Sequence, residues 1–519
     1  MSLKMQVYKL IDDTARMCQD CPGAEPLQQV LREMRDRLSA PLRVAVAGIM
    51  KAGKSTFMNA LIGENVVFTG SLETTYTVCW FKYAKNPFIT VCFRDGQTLR
   101  AEYNELARWS VREYEKENPR INDVKYLIIH YPSEVLKSLE FIDTPGLNSV
   151  YGTDAQNTLD FLEIKSSEDT IQEASMADAI IYAFSRSAGG FDEELLNAFH
   201  QGGTSQSTPI NSVGILTKTD ATGIWDITQD KTPVEAASPV ADSIMKNVNM
   251  RHLIYAAFPV CAKAVEGYSS LQKEDWDGLK KLAVVSKNEL ADILFDAEIF
   301  AESDDDYFVQ FGSPAARCRL INALGQYGIM EICRQLSKGT DINDIKQVLS
   351  QKCGITEVRN MLLSHFGNRT FLIKSQFIFN KLRDLSRKLC HAQKDNRRLA
   401  DLCEELENKI DEMMTGIQTL NELRILQYYY NGQLKFVDKD EIEDFMQVTG
   451  EYGREPEKRL GVESAVSMNE LMQIAREKTE KWHEKASSFM MPNTYVDAAS
   501  TIARSYEHIH YYLSALCDE

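Results

Sequence analysis

Apolar and polar positions change rhythm twice along the chain. From Val7 to Leu38 the apolar residues Leu10, Ala15, Met17, Leu27, Val30, Leu31, Met34 and Leu38 recur at mixed spacings of three and four, and Pro22-Gly23 interrupts them. That period belongs to a helix with one buried stripe, so the segment predicts one broken helix or two short ones. Pro41 ends the helical rhythm, and Leu42 to Ala47 is a short apolar run of the kind buried on both faces of a parallel sheet. Similar runs follow at Val78 to Tyr83, Ile89 to Phe93, Val124 to His130, Leu139 to Ile142, Ala179 to Phe184, Ser212 to Leu216 and Leu253 to Val260, with helical stretches between many of them. This alternation predicts an α/β domain on a mainly parallel sheet between helices.

The second change comes after Lys263. Glu298 to Asp306 is acidic and reads as a solvated loop or insertion. Beyond it the pattern is almost wholly helical. Residues Ile378, Leu382, Leu385, Leu389, Ala392, Leu399, Leu402, Leu406, Met413, Ile417 and Leu420 keep spacings of three, four or seven. They predict a long helix whose apolar seam must pack on another element. Gly450 to Gly461 reads as a joint, and two more helices are expected over Ser467 to Phe489 and Tyr495 to Leu516. The expected organisation is a helical segment over 1–38, an α/β domain over 39–270, and a helical domain over 271–519 with an acidic insertion near 298–306.

Length and composition narrow the function classes. A chain of 519 residues suits two structural units, both large enough to be stable without a disulfide or a structural metal. The formal net charge of −17 argues against nucleic acid as the main partner, because phosphate binding needs concentrated Lys and Arg. It also argues against the whole surface lying on an anionic membrane, while a local basic patch stays compatible with one. No apolar stretch approaches transmembrane length, and Asp12 and Asp13 sit inside the first apolar stretch, so neither a span nor a signal peptide is expected. Eleven scattered cysteines suit a reducing cytosol, and Cys18 and Cys21 read as helix cysteines rather than a metal or redox pair. No lipid anchor is expected, since position 2 is not Gly and Cys517 lies one place too late for a prenylation box.

Candidate chemistry sits at strand ends. Gly48-Ile49-Met50-Lys51-Ala52-Gly53-Lys54-Ser55 fits G-x-x-x-x-G-K-S/T between a predicted strand and the helical run Thr56 to Leu61. Gly48 and Gly53 let backbone N–H groups point at phosphates, Lys54 meets β and γ oxygens, and Ser55 ligates Mg²⁺. Leu139 to Ile142 runs into Asp143-Thr144-Pro145-Gly146, where Asp143 is expected to hold a Mg²⁺ water and the Gly146 N–H to sense the γ-phosphate. Thr217-Lys218-Thr219-Asp220 ends another apolar strand. The Asp220 carboxylate suits guanine, whose N1 and N2 both donate, while adenine would leave it unpaired. The Lys218 stem can lie across the ring. In Pro259-Val260-Cys261-Ala262-Lys263, an N–H of Ala262 or Lys263 is a candidate for guanine O6.

In this order the motifs resemble those of the translation-factor-like GTPase class, and G-x-x-x-A-G-K-S-T-F-x-N-A-L-x-G from Gly48 to Gly63 resembles bacterial dynamin-like proteins. The resemblance implies a P-loop GTPase domain that hydrolyses GTP to GDP and phosphate with Mg²⁺, stimulated by dimerisation of the domain or by a higher oligomer. It also implies a helical bundle, neck- or stalk-like, formed by the N- and C-terminal segments and moved by the nucleotide state. Leu324-Gly325-Gln326-Tyr327-Gly328-Ile329, Cys353 to Val358 and His365 to Arg369 resemble the start of that helical region.

The expected nucleotide contacts are Gly48, Met50, Lys51, Ala52, Gly53, Lys54, Ser55, Thr56, Asp143, Gly146, Thr217, Lys218, Asp220, Cys261, Ala262 and Lys263. Metal contacts are expected from Ser55, Thr75 and, through water, Asp143. Family members close a switch threonine over Mg²⁺; Thr74 and Thr75 are the candidates and Thr75 is preferred. Met50 and Lys51 depart from eukaryotic dynamins, and Lys51 can replace a charge-compensating cation with its own ammonium. Lys51, Lys54 and Thr75 are thus the expected catalytic set. The aromatic runs Tyr428 to Tyr430 with Phe436, and Phe489 to Met491, are candidate membrane tips that read better as core. A cytoplasmic place follows, with a peripheral membrane or a protein partner both open. A GTP-gated interaction module that scarcely hydrolyses fits the same motifs.

Overall fold

A computed structural model describes residues 3–49, 51–63, 78–110, 114, 116–143, 177–185, 189–190, 192–194, 196, 209–221, 223–393, 396–430, 432–453, 455–462, 466–488 and 490–517. Nine strands form one sheet: β1 Leu42–Gly48, β2 Val78–Tyr83, β3 Phe88–Phe93, β4 Thr98–Glu102, β5 Val124–Tyr131, β6 Leu139–Asp143, β7 Ala179–Phe184, β8 Ser212–Leu216 and β9 Ala257–Pro259. Their order is β4-β3-β5-β2-β6-β1-β7-β8-β9. The run β6-β1-β7-β8-β9 is parallel throughout. β2 meets β6 antiparallel, and β3 is antiparallel to both β5 and β4. The fold class is an α/β domain on a mainly parallel sheet, joined to many helices.

Alternation along β1 shows why the apolar runs carry no polar face. Leu42, Val44 and Val46 belong to one core, while Ala45 and Ala47 face another with Tyr182 and Phe184. Both faces of the central strands are covered, so most positions are apolar, and Arg43 of β1 and Glu140 of β6, near the strand starts, face each other at 3.8 Å. β4 escaped the hydrophobic pattern because it is an exposed edge strand, Thr-Leu-Arg-Ala-Glu, paired to β3 across a turn at Gly96. Leu253 to Val260 is only partly a strand. The helix Val248–Leu253 takes its start, and Tyr255 and β9 then hydrogen-bond along β8.

The N-terminal stretch is two helices, α1 Leu3–Gln19 and α2 Glu25–Ser39, parted at Gly23 with φ 84. Further helices that matter to the site are α3 Lys54–Ile62, α4 Pro233–Lys246, α5 Ala262–Tyr268, α6 Pro314–Ser337, α7 Gly367–Ala392, α8 Arg397–Gly416, α9 Gln418–Tyr430, α10 Met468–Ala486 and α11 Asn493–Cys517. The long seam expected after Ile378 is not one helix. It turns back after Gln393, where Asn396 caps α8 by accepting from the Leu399 N–H and donates to Pro22 O. The seam therefore packs partly on itself and partly on α1 and α2.

Helical residues after 270 divide among several cores. Leu279, Leu294, Phe300, Leu324 and Phe366 share the core of Val44 and Val46. Phe377 to Leu420 joins the N-terminal helices, and Leu423 to Leu513 forms a third cluster around Trp482 and Tyr506. The acidic stretch is helical over Ala297–Glu302 and buries Phe300, so the reading of a solvated loop is corrected there, while Asp304 and Asp305 beyond it are non-helical and exposed. Two carbonyls of the stretch, Phe300 O and Ser303 O, accept from the fully buried Arg317, which also donates to Gly312 O at 2.7 Å. Tyr430 is buried, and Tyr429 and Phe436 pack around Phe445, so that aromatic run is core. Phe489 lies outside the described residues.

Candidate functional site

Five parallel strands end on one edge of the sheet, and that edge carries the motifs. β1 ends at Gly48, whose φ of 148 takes the chain past β7 so closely that an added methyl would lie 2.7 Å from Ala183 O. The loop then enters α3 through Gly53 in the left-handed region, φ 81. Only two non-glycine residues among those described have positive φ, Lys51 at 60 and Lys218 at 54, and both lie in candidate nucleotide motifs. Such strain, confined to two loops at the same sheet edge, is the pattern that functional loops show.

Lys54 is 7% exposed and donates to Gly48 O at 3.0 Å and Ile49 O at 3.1 Å, so its ammonium lies within the loop. Burial lowers its pKa, and the negative Asp143 opposes that. Asp143 ends β6 in register with Val46, placing it beside the loop. It is 2% exposed. Burial pushes its carboxyl up to about 6, against the pull of Lys54. Among the described residues its Oδ1 has no hydrogen-bond partner. A buried, unpartnered carboxylate oxygen beside the Lys54 loop fits a hydrated hard cation. No group of three acidic, His or Cys side chains able to cage a metal exists among the described residues. Mg²⁺ is usually held by one or two protein oxygens together with substrate phosphates, so the fit is to that ion.

Thr217 ties this loop to the next motif. Its hydroxyl lies 2.5 Å from Ala52 O and 2.9 Å from Phe184 O. Lys218 is exposed and Asp220 half-buried immediately beyond. β9 leads through Cys261, whose N–H donates to Cys353 O, into Ala262 and a half-buried Lys263 at the start of α5. The structure thus brings together Gly48, Lys51, Ala52, Gly53, Lys54, Ser55, Thr56, Asp143, Thr217, Lys218, Asp220, Cys261, Ala262 and Lys263. Met50, Thr74, Thr75 and Gly146 lie outside the described residues.

Several partners had no signal in the sequence. The far end of α3 is held by the helical part of the chain: Lys346 donates to Gly63 O at 2.6 Å and Arg359 to Leu61 O at 2.7 Å. Asn59 donates to Glu266 of α5 at 2.7 Å. The Lys346 and Arg359 contacts place positive side chains on carbonyls at a helix C-terminus, where the dipole favours them.

The dynamin family model matches residues 44–218, the stretch from β1 to the Thr217-Lys218 turn. The chain thus carries a dynamin-family domain over these residues. The bacterial dynamin-like protein of Nostoc punctiforme is 36% identical over 127 residues, 22% of this chain and 18% of that one. Isoniazid-induced protein IniC of Mycobacterium tuberculosis is 25% identical over 453 residues, 87% of this chain and 86% of that one. A solved structure of an oligomerised bacterial dynamin pair, described as sensing and tethering membranes, covers 98% of this chain and 91% of its own at 14% identity. The two chains align with a TM-score of 0.35. Dynamin-family G domains bind guanine nucleotides, and the edge described above is where such a ligand belongs in a parallel α/β sheet. Among the described residues no helix is long and apolar enough to cross a membrane.

Proposed function

We propose that the protein hydrolyses GTP to GDP and phosphate at the edge formed by β6, β1, β8 and β9. The observation that carries this is the buried Lys54–Asp143 pair, one oxygen of which is unpartnered, directly linked through Ala52 and Thr217 to the Asp220 motif. In this reading Gly48 to Thr56 wrap the phosphates, with backbone N–H groups and the Lys54 ammonium meeting the β and γ oxygens. Ser55, Thr75 and, through water, Asp143 would hold Mg²⁺, which when bound supplies positive charge to the phosphate oxygens. Thr75 orders the attacking water, Gly146 senses the γ-phosphate, and Lys51 meets charge developing on the bridging oxygen from its left-handed position. Asp220 accepts from guanine N1 and N2, Lys218 lies across the ring, and Cys261 to Lys263 present an N–H to O6. No side chain acts as a strong base; positioning and electrostatics do the work.

The same reading assigns residues 1–38 and much of 271–519 to a helical part that moves with the nucleotide state, around a GTPase domain over 39–270. Dimerisation across the nucleotide edge stimulates turnover. The deciding experiment measures GTP turnover at low and high protein concentration, with Asp220→Ala as comparison. Turnover per chain that rises with concentration, and is lost with Asp220→Ala, supports the proposal. A protein that binds GTP and turns it over at no concentration is instead the GTP-gated interaction module. Flotation with vesicles, with and without GTP, tests a peripheral membrane contact.

A further inference from the structure

The stretch Leu324 to Gly328 belongs to α6, far along the chain from the guanine motifs, and the GTPase reading makes no use of it. Gly325 is the residue of α6 whose backbone is not helical, at φ 66 and ψ 174. Those angles are essentially restricted to glycine. A methyl placed on its Cα would stand 3.2 Å from Asp220 Oδ2 and 3.8 Å from Lys263 Cδ. The kink of α6 therefore faces the acidic side chain of one base motif and the lysine of the other.

The surroundings leave little freedom. A methyl on Gly267 of α5 would lie 2.1 Å from Ala323 O, and one on Gly328 would lie 3.0 Å from Ala264 Cβ. Small residues thus let α6 cross α5 at backbone contact, and α5 is the helix that opens with Ala262 and Lys263. Gln326 donates to Leu294 O at 2.7 Å and to Phe295 O at 3.2 Å. The buried Tyr327 ring meets Trp225, in the loop after Asp220, edge-on at 5.5 Å. One five-residue stretch of α6 braces both loops that carry the guanine motifs.

We infer that Gly325 is a positioning residue of the guanine site: its missing side chain leaves the Asp220 carboxylate the space from which both oxygens face the base. The helical part of the chain thereby helps to set base selectivity. The inference rests on the reading of Asp220 given above. An alanine at 325 forces a choice, because an L side chain does not adopt this backbone and its methyl crowds Asp220 Oδ2. Either the kink shifts or the carboxylate turns, and one of two parallel hydrogen bonds is lost.

Guanine offers N1–H and an N2 amino group to the carboxylate, whereas hypoxanthine offers N1–H alone. The affinity ratio of GDP to IDP therefore reads the second oxygen. Calorimetry on the full chain is expected to give wild type a GDP preference of about ten- to a hundredfold, the worth of one hydrogen bond to a charged group. Gly325→Ala is expected to reduce that ratio by about fivefold or more. A folding defect alone lowers both affinities equally and leaves the ratio unchanged. If Asp220→Ala flattens the ratio and Gly325→Ala leaves it at the wild-type value, the inference is overturned and the guanine reading stands. If Asp220→Ala itself leaves the ratio intact, the guanine reading falls and the inference with it. Should Gly325→Ala not fold, Gln326→Ala, which frees the same stretch without altering the glycine, decides by the same ratio.

Discussion

Arg37 and Asp178 make the strongest test of how the helical part is fastened to the sheet. The pair lies where α2, the start of β1 and α7 meet, with side chains 3% and 0% exposed. Arg37 Nε and Nη2 reach Asp178 Oδ1 at 2.9 and 2.6 Å, and its guanidinium lies 3.7 Å over the Phe377 ring. Asp178 Oδ2 accepts from the Arg43 N–H at 2.9 Å, and Lys374 donates to Arg37 O at 2.7 Å. Arg37→Ala leaves a buried carboxylate without its cation, which costs about 3–5 kcal/mol. The lost stacking on Phe377 adds about 1 kcal/mol. In Arg37→Met with Asp178→Leu both charges of the pair are gone, and the remaining defects are the unpaired Arg43 N–H, about 1–3 kcal/mol, and the buried Lys374 ammonium, which loses the nearby carboxylate but keeps its carbonyl acceptors. The double variant should therefore unfold at a higher urea concentration than Arg37→Ala, and both below wild type. Circular dichroism across a urea series reads the midpoints. Arg37→Ala within about 0.5 kcal/mol of wild type, a typical surface substitution, would refute the argument.

On the proposed role of Lys51, an exposed side chain acting on charge that develops late, Lys51→Ala should lower GTP turnover by about tenfold or more while GTP affinity changes little; equal turnover removes Lys51 from catalysis. Thr217→Val keeps the shape but loses the hydroxyl shared between Ala52 O and Phe184 O. It should weaken both stability and GDP affinity by about 1–2 kcal/mol, seen in thermal unfolding with and without GDP; a variant with unchanged affinity would disconnect the two motifs. Acid should loosen the junction of Tyr255, His365, Arg369 and Glu451, where Arg369 Nη1 lies 2.8 Å from Glu451. Burial, with Arg369 close by, holds His365 below its ordinary 6.5. Burial opposes ionisation of Glu451, yet His365, Arg369 and Tyr255 hold it well below its ordinary 4.5. Both depressed values give stability that is present at higher pH, lost from 6.5 downward for His365 and from 4.5 downward for Glu451. The gap in melting temperature between wild type and Glu451→Gln should accordingly close as pH drops beneath 4.5, and a gap independent of pH contradicts this.

The sequence by itself determined the buried strands of the sheet and the motifs at their ends, but not the exposed edge strand β4. Strands buried on both faces must be largely apolar, so Leu42 to Ala47 and its counterparts declare themselves. The G-x-x-x-x-G-K-S loop, Asp143 and Asp220 follow those runs directly, because a parallel sheet presents its chemistry at strand ends. Only the tertiary structure decided what each helical seam covers. A period of three and four reports that one face is buried but not against what, so the seam after Ile378 gave no sign of its turn at Asn396 or of its packing on α1 and α2. Nor did any local pattern connect Gly325 with Asp220, Lys346 with Gly63, or Arg37 with Asp178. Those contacts span 105, 283 and 141 positions. They arise when separate elements are driven together by apolar burial, and the polar groups carried along then find one another.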